Sequence, residues 1–183
     1  ALLPAAVLPA LLLCSCATRP PDLHEQLLTL DTHLDTPAWF GVAGWNFGER
    51  HRVEDDGSQL DIPRMIEGGL DGGFFVTYIP QGPLTDIGRE AARLAAHSRL
   101  DEIHSVVAIH ADRASIALTA ADARRVAAQG KRVVLLSMEN GYPVGQHPEK
   151  LADFHARGVR MAGPVHFLNN DLATSSTDVA RTD

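Results

Sequence analysis

The residues able to do chemistry are few, and they sit at the ends of apolar runs. His33-Leu34-Asp35 closes the run Leu27-Leu28-Thr29-Leu30. Side chains two apart on a strand point to the same face, so an imidazole and a carboxylate converge there. A nitrogen and an oxygen donor held on rigid backbone suit a divalent metal such as zinc. Glu139 follows a second apolar run, Val133–Leu136, and precedes Asn140-Gly141, which brings a carboxylate to the mouth of a core. A carboxylate in that place can bridge two cations roughly 3.5–4 Å apart. His166, after Pro164-Val165, is placed either to ligate metal or to donate a hydrogen bond to a developing oxyanion. Each has a plainer reading: a His–Asp pair steadying a loop, a glutamate capping a turn, a histidine satisfied inside the core.

The elements that must position these groups alternate between strand-like and helix-like. Leu27–His33 reads as a strand, followed by a loop rich in Gly, Trp and charge through Ser58. Leu60–Glu67 is a short helix ended by Gly68-Gly69, and Gly73–Ile79 is a buried strand by its aromatic and β-branched content. A long helix runs from Thr85 to about Asp112, with Ile87, Ala91, Leu94, Leu100, Ile103 and Val107 on its apolar face. Thr119 caps a further helix with Asp122 as its partner, ending near Gln129-Gly130. Arg132–Met138 is the next strand, on which Val133, Leu135 and Ser137 face one way and Glu139 continues that face. Pro148–Arg157 is a helix, and Val159–Val165 leads into another strand-like piece.

Repeated βα units imply a parallel sheet wrapped by helices, either doubly wound or a (β/α)8 barrel. About four such units are present, whereas a barrel takes ~250 residues, so the chain supplies roughly the first half of one. His97, His104 and His110 fall on the long helix in surface or packing roles, and His24 and His51 fall in polar loops. His147 and His155 flank a helix, Trp45 and Phe47 anchor the Gly-rich loop, and Glu54-Asp55-Asp56 is a solvated surface run.

The composition is that of a globular protein, with 45% apolar and 21% charged residues. A net charge of −7 argues against a binder of nucleic-acid phosphates. Ala1–Leu13 resembles the apolar core of a secretory signal peptide, and Leu13-Cys14-Ser15-Cys16 resembles a bacterial lipoprotein signal. On that reading residues 1–16 are the lipoprotein-type signal segment, and Cys16 is acylated and becomes the mature N-terminus. Residues 17–26 are then a tether, and residues 27–183 belong to an exported domain lipid-anchored in the bacterial cell envelope. The alternative is a plain secretory signal cut near Ala17. No cysteine follows residue 16, so the domain has no disulfide framework and no thiolate metal site. The missing initiator Met and the end at Arg181-Thr182-Asp183 suggest a chain truncated at both ends.

Several stretches, in order, resemble the membrane (renal) dipeptidase family, zinc dipeptidases of the metal-dependent amidohydrolase barrels. They are Asp31-Thr32-His33-Leu34-Asp35-Thr36-Pro37, Gln59-Leu60-Asp61-Ile62-Pro63-Arg64-Met65, Glu67-Gly68-Gly69 and Gly73–Pro80. Ser137-Met138-Glu139-Asn140-Gly141 and Val165–Leu172 continue the pattern. The resemblance implies an α/β fold of the (β/α)8 TIM-barrel type. It implies that His33 and Asp35 bind one zinc and that Glu139 bridges it to a second. It also implies that His166 contacts the substrate and stabilises the tetrahedral intermediate, and that Trp39 lines the pocket. The resemblance further implies a hydroxide between two Zn2+ ions that would attack the peptide bond of a dipeptide, and a homodimer.

The family's two further zinc histidines and its carboxylate-binding arginine lie later than the position matching His166. On this reading the 183-residue chain alone is inactive. Ala162-Gly163-Pro164 also stands where the family usually has a Thr-Leu-Thr-like run. Two other readings stay open: an amidohydrolase acting on a different amide, lactam or ester, and a non-catalytic surface binding protein on a decayed enzyme fold.

Overall fold

The computed structural model describes residues 22–178. The expected signal sequence, the expected lipidation residue Cys16 and residues 17–21 of the expected tether lie outside that range. Five parallel strands form one sheet: β1 (Leu30–Leu34), β2 (Gly72–Tyr78), β3 (Ala114–Ile116), β4 (Arg132–Glu139) and β5 (Val159–Ala162). β2 pairs over its full length with β4, from Gly72↔Val133 to Tyr78↔Glu139, so both end at the same level. β3 and β5 share the far edge of β4, β3 against residues 132–134 and β5 against residues 136–138. The successive staves are therefore β1, β2, β4 and β5, as in one wall of a (β/α)8 barrel, with β3 tucked beside the start of β4.

The helices are α1 (Leu23–Gln26), α2 (Pro37–Phe40), α3 (Val53–Asp56), α4 (Ile62–Glu67), α5 (Asp86–Ile109), α6 (Ala120–Ala128) and α7 (Leu151–Ala156). They divide between the sheet's two faces according to the pleat of β4. Val134, Leu136 and Met138 join Leu34 and Phe75 in the larger core. That core also takes in Ile62 and Met65 of α4, Leu100 and Ile103 of α5, and Phe154 of α7. Val133 and Leu135 point the other way, packing with Ala117, Phe74 and the α6 residues Ala123 and Val126. α6 thus covers the start of the second face. The carboxyl-terminal half of that face, where Ser137 and Glu139 lie, is left for a site. Burial on both faces explains why β2 and β4 read as nearly continuous apolar runs.

Two glycines let the central strand fit. A Cβ on Gly72 would stand 2.1 Å from the Val133 carbonyl oxygen, and one on Gly73 would stand 2.5 Å from that of Asp31. β2 is hemmed in by backbone on both sides, and no larger residue is accommodated there.

Several elements differ from the sequence-based expectation. β1 starts at Leu30 rather than Leu27, because Leu27 and Leu28 have no neighbouring strand and are largely exposed. The loop to Ser58 contains two single-turn helices, α2 and α3. β3 was not expected, since three residues are too few to show a period. The helix expected over Pro148–Arg157 is a 3₁₀ turn, Pro148–Lys150, followed by α7, and the last strand stops at Ala162 rather than Val165. On α5 the buried stripe is Ala92, Ala96, Leu100, Ile103 and Val107, whereas Ile87 is 85% and Leu94 57% exposed. Alanines pack α5 closely against the sheet in its first half, and hydropathy alone points to the larger residues instead.

Of the expected tether, residues 23–26 form α1, capped by Asp22 and tied by the His24 Nε2 contact of 3.0 Å to the Gly69 carbonyl. His24 therefore lies on a helix and not in a loop.

α6 is secured as its sequence predicts. The Asp122 N–H donates to Thr119 Oγ1 at 3.0 Å, and the Thr119 hydroxyl donates to Asp122 Oδ2 at 2.8 Å. Thr119→Ala is expected to destabilise this helix by about 1 kcal/mol. Faster amide exchange confined to residues 120–128 would register the loss.

Candidate metal centre

β1 ends at Leu34, whose side chain enters the larger core, and its pairing with β2 shifts register between Asp31 and Leu34. His33 and Asp35 flank Leu34 and turn to the opposite face. Asp35 lies just past the strand, in the turn that Pro37 converts into α2. His33 Nε2 stands 3.4 Å from Asp35 Oδ1 and 3.6 Å from Glu139 Oε2. One ligand atom from each of His33, Asp35 and Glu139 lies within 4.8 Å of the others. Strand pleating and parallel register thus bring His33 and Asp35 to Glu139, more than a hundred positions later in sequence. An imidazole nitrogen with carboxylate oxygens is a donor set that fits zinc, and three protein donors leave a position for water or substrate.

Glu139 ends β4 and is 22% exposed at its side chain. Its two oxygens face different imidazoles: Oε2 is toward His33, and Oε1 is 3.4 Å from His166 Nε2. His166 lies in the loop after β5, outside the three-donor group, with its ring edge-on to Tyr78 at 4.9 Å. The Ala162-Gly163-Pro164 segment holds this loop to β4. The Gly163 N–H donates to the Met138 carbonyl at 2.8 Å, and the Pro164 carbonyl accepts from Gly141 N–H at 3.0 Å.

A cleft of about 510 Å³ opens beside these groups, lined by His33, Asp35, Trp39, Tyr78, Glu139 and His166 among others. Its size is in the usual range for a small-molecule site. Trp39 forms one wall, its indole N–H donating to the Asp56 carbonyl at 3.1 Å. Tyr78 and Arg99 also line the cleft and were not singled out from the sequence. The alternation of β2, which puts Tyr78 on the same face as Val76, was the available signal for Tyr78. Arg99 offered none, since it reaches the cleft from α5 by bonding the Pro37 carbonyl and Glu102.

The acidic run Glu54-Asp55-Asp56 is only partly solvated. Asp56 Oδ2 is 2.7 Å from His51 Nδ1, and the His51 ring stacks on Trp45 at 4.6 Å. His51 is therefore half-buried in a packed loop rather than free in a polar one. Trp45 and Phe47 do anchor that loop, packing against Phe40. His97 stacks on Phe154, and His104 bonds the Arg157 carbonyl, both packing roles.

The His166 loop is clamped to α5 by an ion pair. Arg89 donates to both oxygens of Asp171, at 2.7 and 2.8 Å. These hydrogen bonds hold the Asp171 carboxyl below its usual range against the opposing effect of burial, and Gln146 adds a smaller contribution. A depressed folded-state value means the stabilisation is present above the unfolded value. It is lost as pH falls through the folded one. The melting temperature of wild type is expected to exceed that of Asp171→Asn near neutrality. The gap should close as pH drops below about 3.9, and melting curves of both proteins across this range check it.

The sequence model described as membrane dipeptidase (peptidase family M19) matches residues 18–183. Dipeptidase ataJ of Aspergillus terreus is 30% identical over 124 residues, covering 66% of this chain and 30% of its own length. Among solved structures, the probable dipeptidase PvdM from Pseudomonas aeruginosa superposes with a TM-score of 0.71 at 31% identity, over 85% of this chain and 38% of that one. A metallo peptidase from Rhodobacter sphaeroides, liganded with a phosphinate mimic of the dipeptide L-Ala-D-Ala, superposes at 0.62 with 26% identity. That match covers 75% of this chain and 45% of the other. The chain thus spans less than half the length of these relatives. The relatives of known structure have the TIM-barrel fold, of which the present sheet is a part.

Proposed function

Since this chain belongs to the membrane dipeptidase family, peptidase family M19, we propose that the protein it represents is a zinc-dependent hydrolase cleaving the peptide bond of dipeptides. The observation that carries this reading is the convergence of His33, Asp35 and Glu139 within 4.8 Å at the strand ends. His33 and Asp35 would hold one zinc ion, and Glu139 would help to hold both that ion and a second. When bound, such ions supply a water nucleophile near neutral pH and polarise a carbonyl oxygen.

The chain's own residues orient the substrate. Trp39 and Tyr78 wall the cleft, limiting it to a small ligand. Tyr78 holds the His166 ring edge-on, so that Nε2 points to the space beside Glu139. A hydrogen bond donated from there to the oxygen that gains charge at the scissile carbon lowers the barrier.

The test uses the full-length protein. Elemental analysis is expected to find zinc, and a dipeptide panel is expected to be hydrolysed. A chelator should abolish the activity and added zinc restore it. Zinc-free protein that leaves every dipeptide intact would overturn the reading. Turnover of an ester or lactam alone would replace the substrate class.

The same proposal places the protein outside the cytoplasm, held to a membrane through acylated Cys16 and assembled as a homodimer. Cys16→Ser is expected to move it from the membrane to the soluble fraction, and light scattering of the purified protein reads the dimer. Among the described residues no helix is long and apolar enough to cross a membrane.

A further inference from the structure

Next to Glu139 in sequence, and in the loop that carries His166, stand two buried amides, Asn140 and Asn170, whose hydrogen-bonding capacity is largely used up. Asn140 is 1% exposed and is the one non-glycine residue with positive φ, 71°, among the described residues. Asparagine tolerates that left-handed conformation better than most residues. Its Nδ2 donates to the Ile79 carbonyl at 3.1 Å, just past the end of β2. Its Oδ1 accepts from Tyr142 N–H at 3.3 Å and from Asn170 Nδ2 at 2.9 Å. Asn170 Nδ2 also donates to the Pro164 carbonyl at 2.8 Å, and its Oδ1 accepts from the N–H groups of Leu172 and Ala173 at 2.8 and 3.1 Å.

Two side chains thereby join three segments: the end of β2, the end of β4, and the loop that carries His166. Asn140 is adjacent to Glu139, and Asn170 folds its loop back onto the carbonyl two residues before His166. Buried amides with this many partners have one geometry, since any shift leaves a polar group unsatisfied.

The geometry points to Asn140 and Asn170 as positioning residues, an amide clasp that sets His166 against Glu139. This rests on the hydrolase reading above. The clasp explains why the Glu139 turn carries Asn in a backbone conformation where Gly is the usual choice. Glycine keeps the turn but offers no carboxamide to Asn170.

The experiment is a double-mutant cycle in the full-length, zinc-loaded protein with a dipeptide substrate. Asn170→Asp keeps the acceptors for Leu172 and Ala173 but loses both donors. It is expected to lower kcat by roughly 100-fold, the scale of a misplacement near 1 Å. The same change in a His166→Ala background is expected to lower kcat by less than about twofold, because the group it positions is gone. Zinc bound per chain should match wild type in all three variants.

Multiplicative losses in the cycle, or zinc lost along with activity, would show a general structural role and overturn the clasp. Asn140→Gly, which retains the backbone conformation, carries the same cycle should Asn170→Asp not accumulate. A wild-type protein inactive on every dipeptide would instead sink the hydrolase reading.

Discussion

Glu139→Gln in the full-length protein is expected to lower kcat/KM for a dipeptide by about 1000-fold or more, equivalent to roughly 4 kcal/mol of lost transition-state stabilisation. The size follows from the residue's place. Its carboxylate stands between two imidazoles, with Oε2 3.6 Å from His33 and Oε1 3.4 Å from His166. A carboxamide is nearly isosteric but removes the negative charge and turns one acceptor into a donor. The donor group of His33, Asp35 and Glu139 is then reduced to two anchors. Zinc per chain, measured after dialysis, should fall together with activity. Retention of both would mean that Glu139 only caps the turn after β4.

Asp61→Ala is expected to destabilise the protein by about 3 kcal/mol, although it lies outside the metal centre. The Asp61 side chain is fully buried. It caps α4 by accepting from Arg64 N–H at 2.8 Å, pairs with Arg64 Nε at 2.6 Å, and accepts the His51 N–H at 2.8 Å. Alanine leaves a mostly buried guanidinium without its counter-ion. Arg64 keeps only its bonds to Ser58, at 2.8 and 3.1 Å. The damage should spread along the loop. His51 pairs with Asp56, and the Asp56 carbonyl accepts from the Trp39 indole that walls the cleft. A raised KM alongside a lowered unfolding midpoint is the expected signature. An unchanged midpoint in chemical denaturation would contradict it.

Asp61 and Arg64 stand in the sequence as part of Gln59–Met65, a stretch legible as family pattern from the sequence alone. Their work as a hub was not legible, because its partners Ser58 and His51 lie in a loop without periodicity. The same contrast runs through the sheet. The alternation along β4 correctly assigned Val133, Leu135, Ser137 and Glu139 to one face, since a strand's period is local. That α6 covers the start of this face, and that β3 slips in beside β4, depends on pairings across distant segments. Ile87 and Leu94 mark the limit of hydropathy on α5: both are exposed, while smaller alanines make the close approach.

By itself, then, the sequence determined the chemical types: an imidazole and a carboxylate flanking Leu34, a carboxylate ending β4, and a histidine following β5. It also determined the face that Glu139 takes, because a strand's pleat is a property of neighbouring residues. Only the tertiary structure decided that they meet. Parallel register sets Tyr78 level with Glu139, and the break in pairing after Asp31 accompanies the turn of His33 and Asp35 toward it. The Asn140–Asn170 clasp brings His166 to the other oxygen of the same carboxylate. These distances arise from strand order and loop closure, which non-local contacts decide. The triplet His33-Leu34-Asp35 specifies donors, and the fold makes them part of a site.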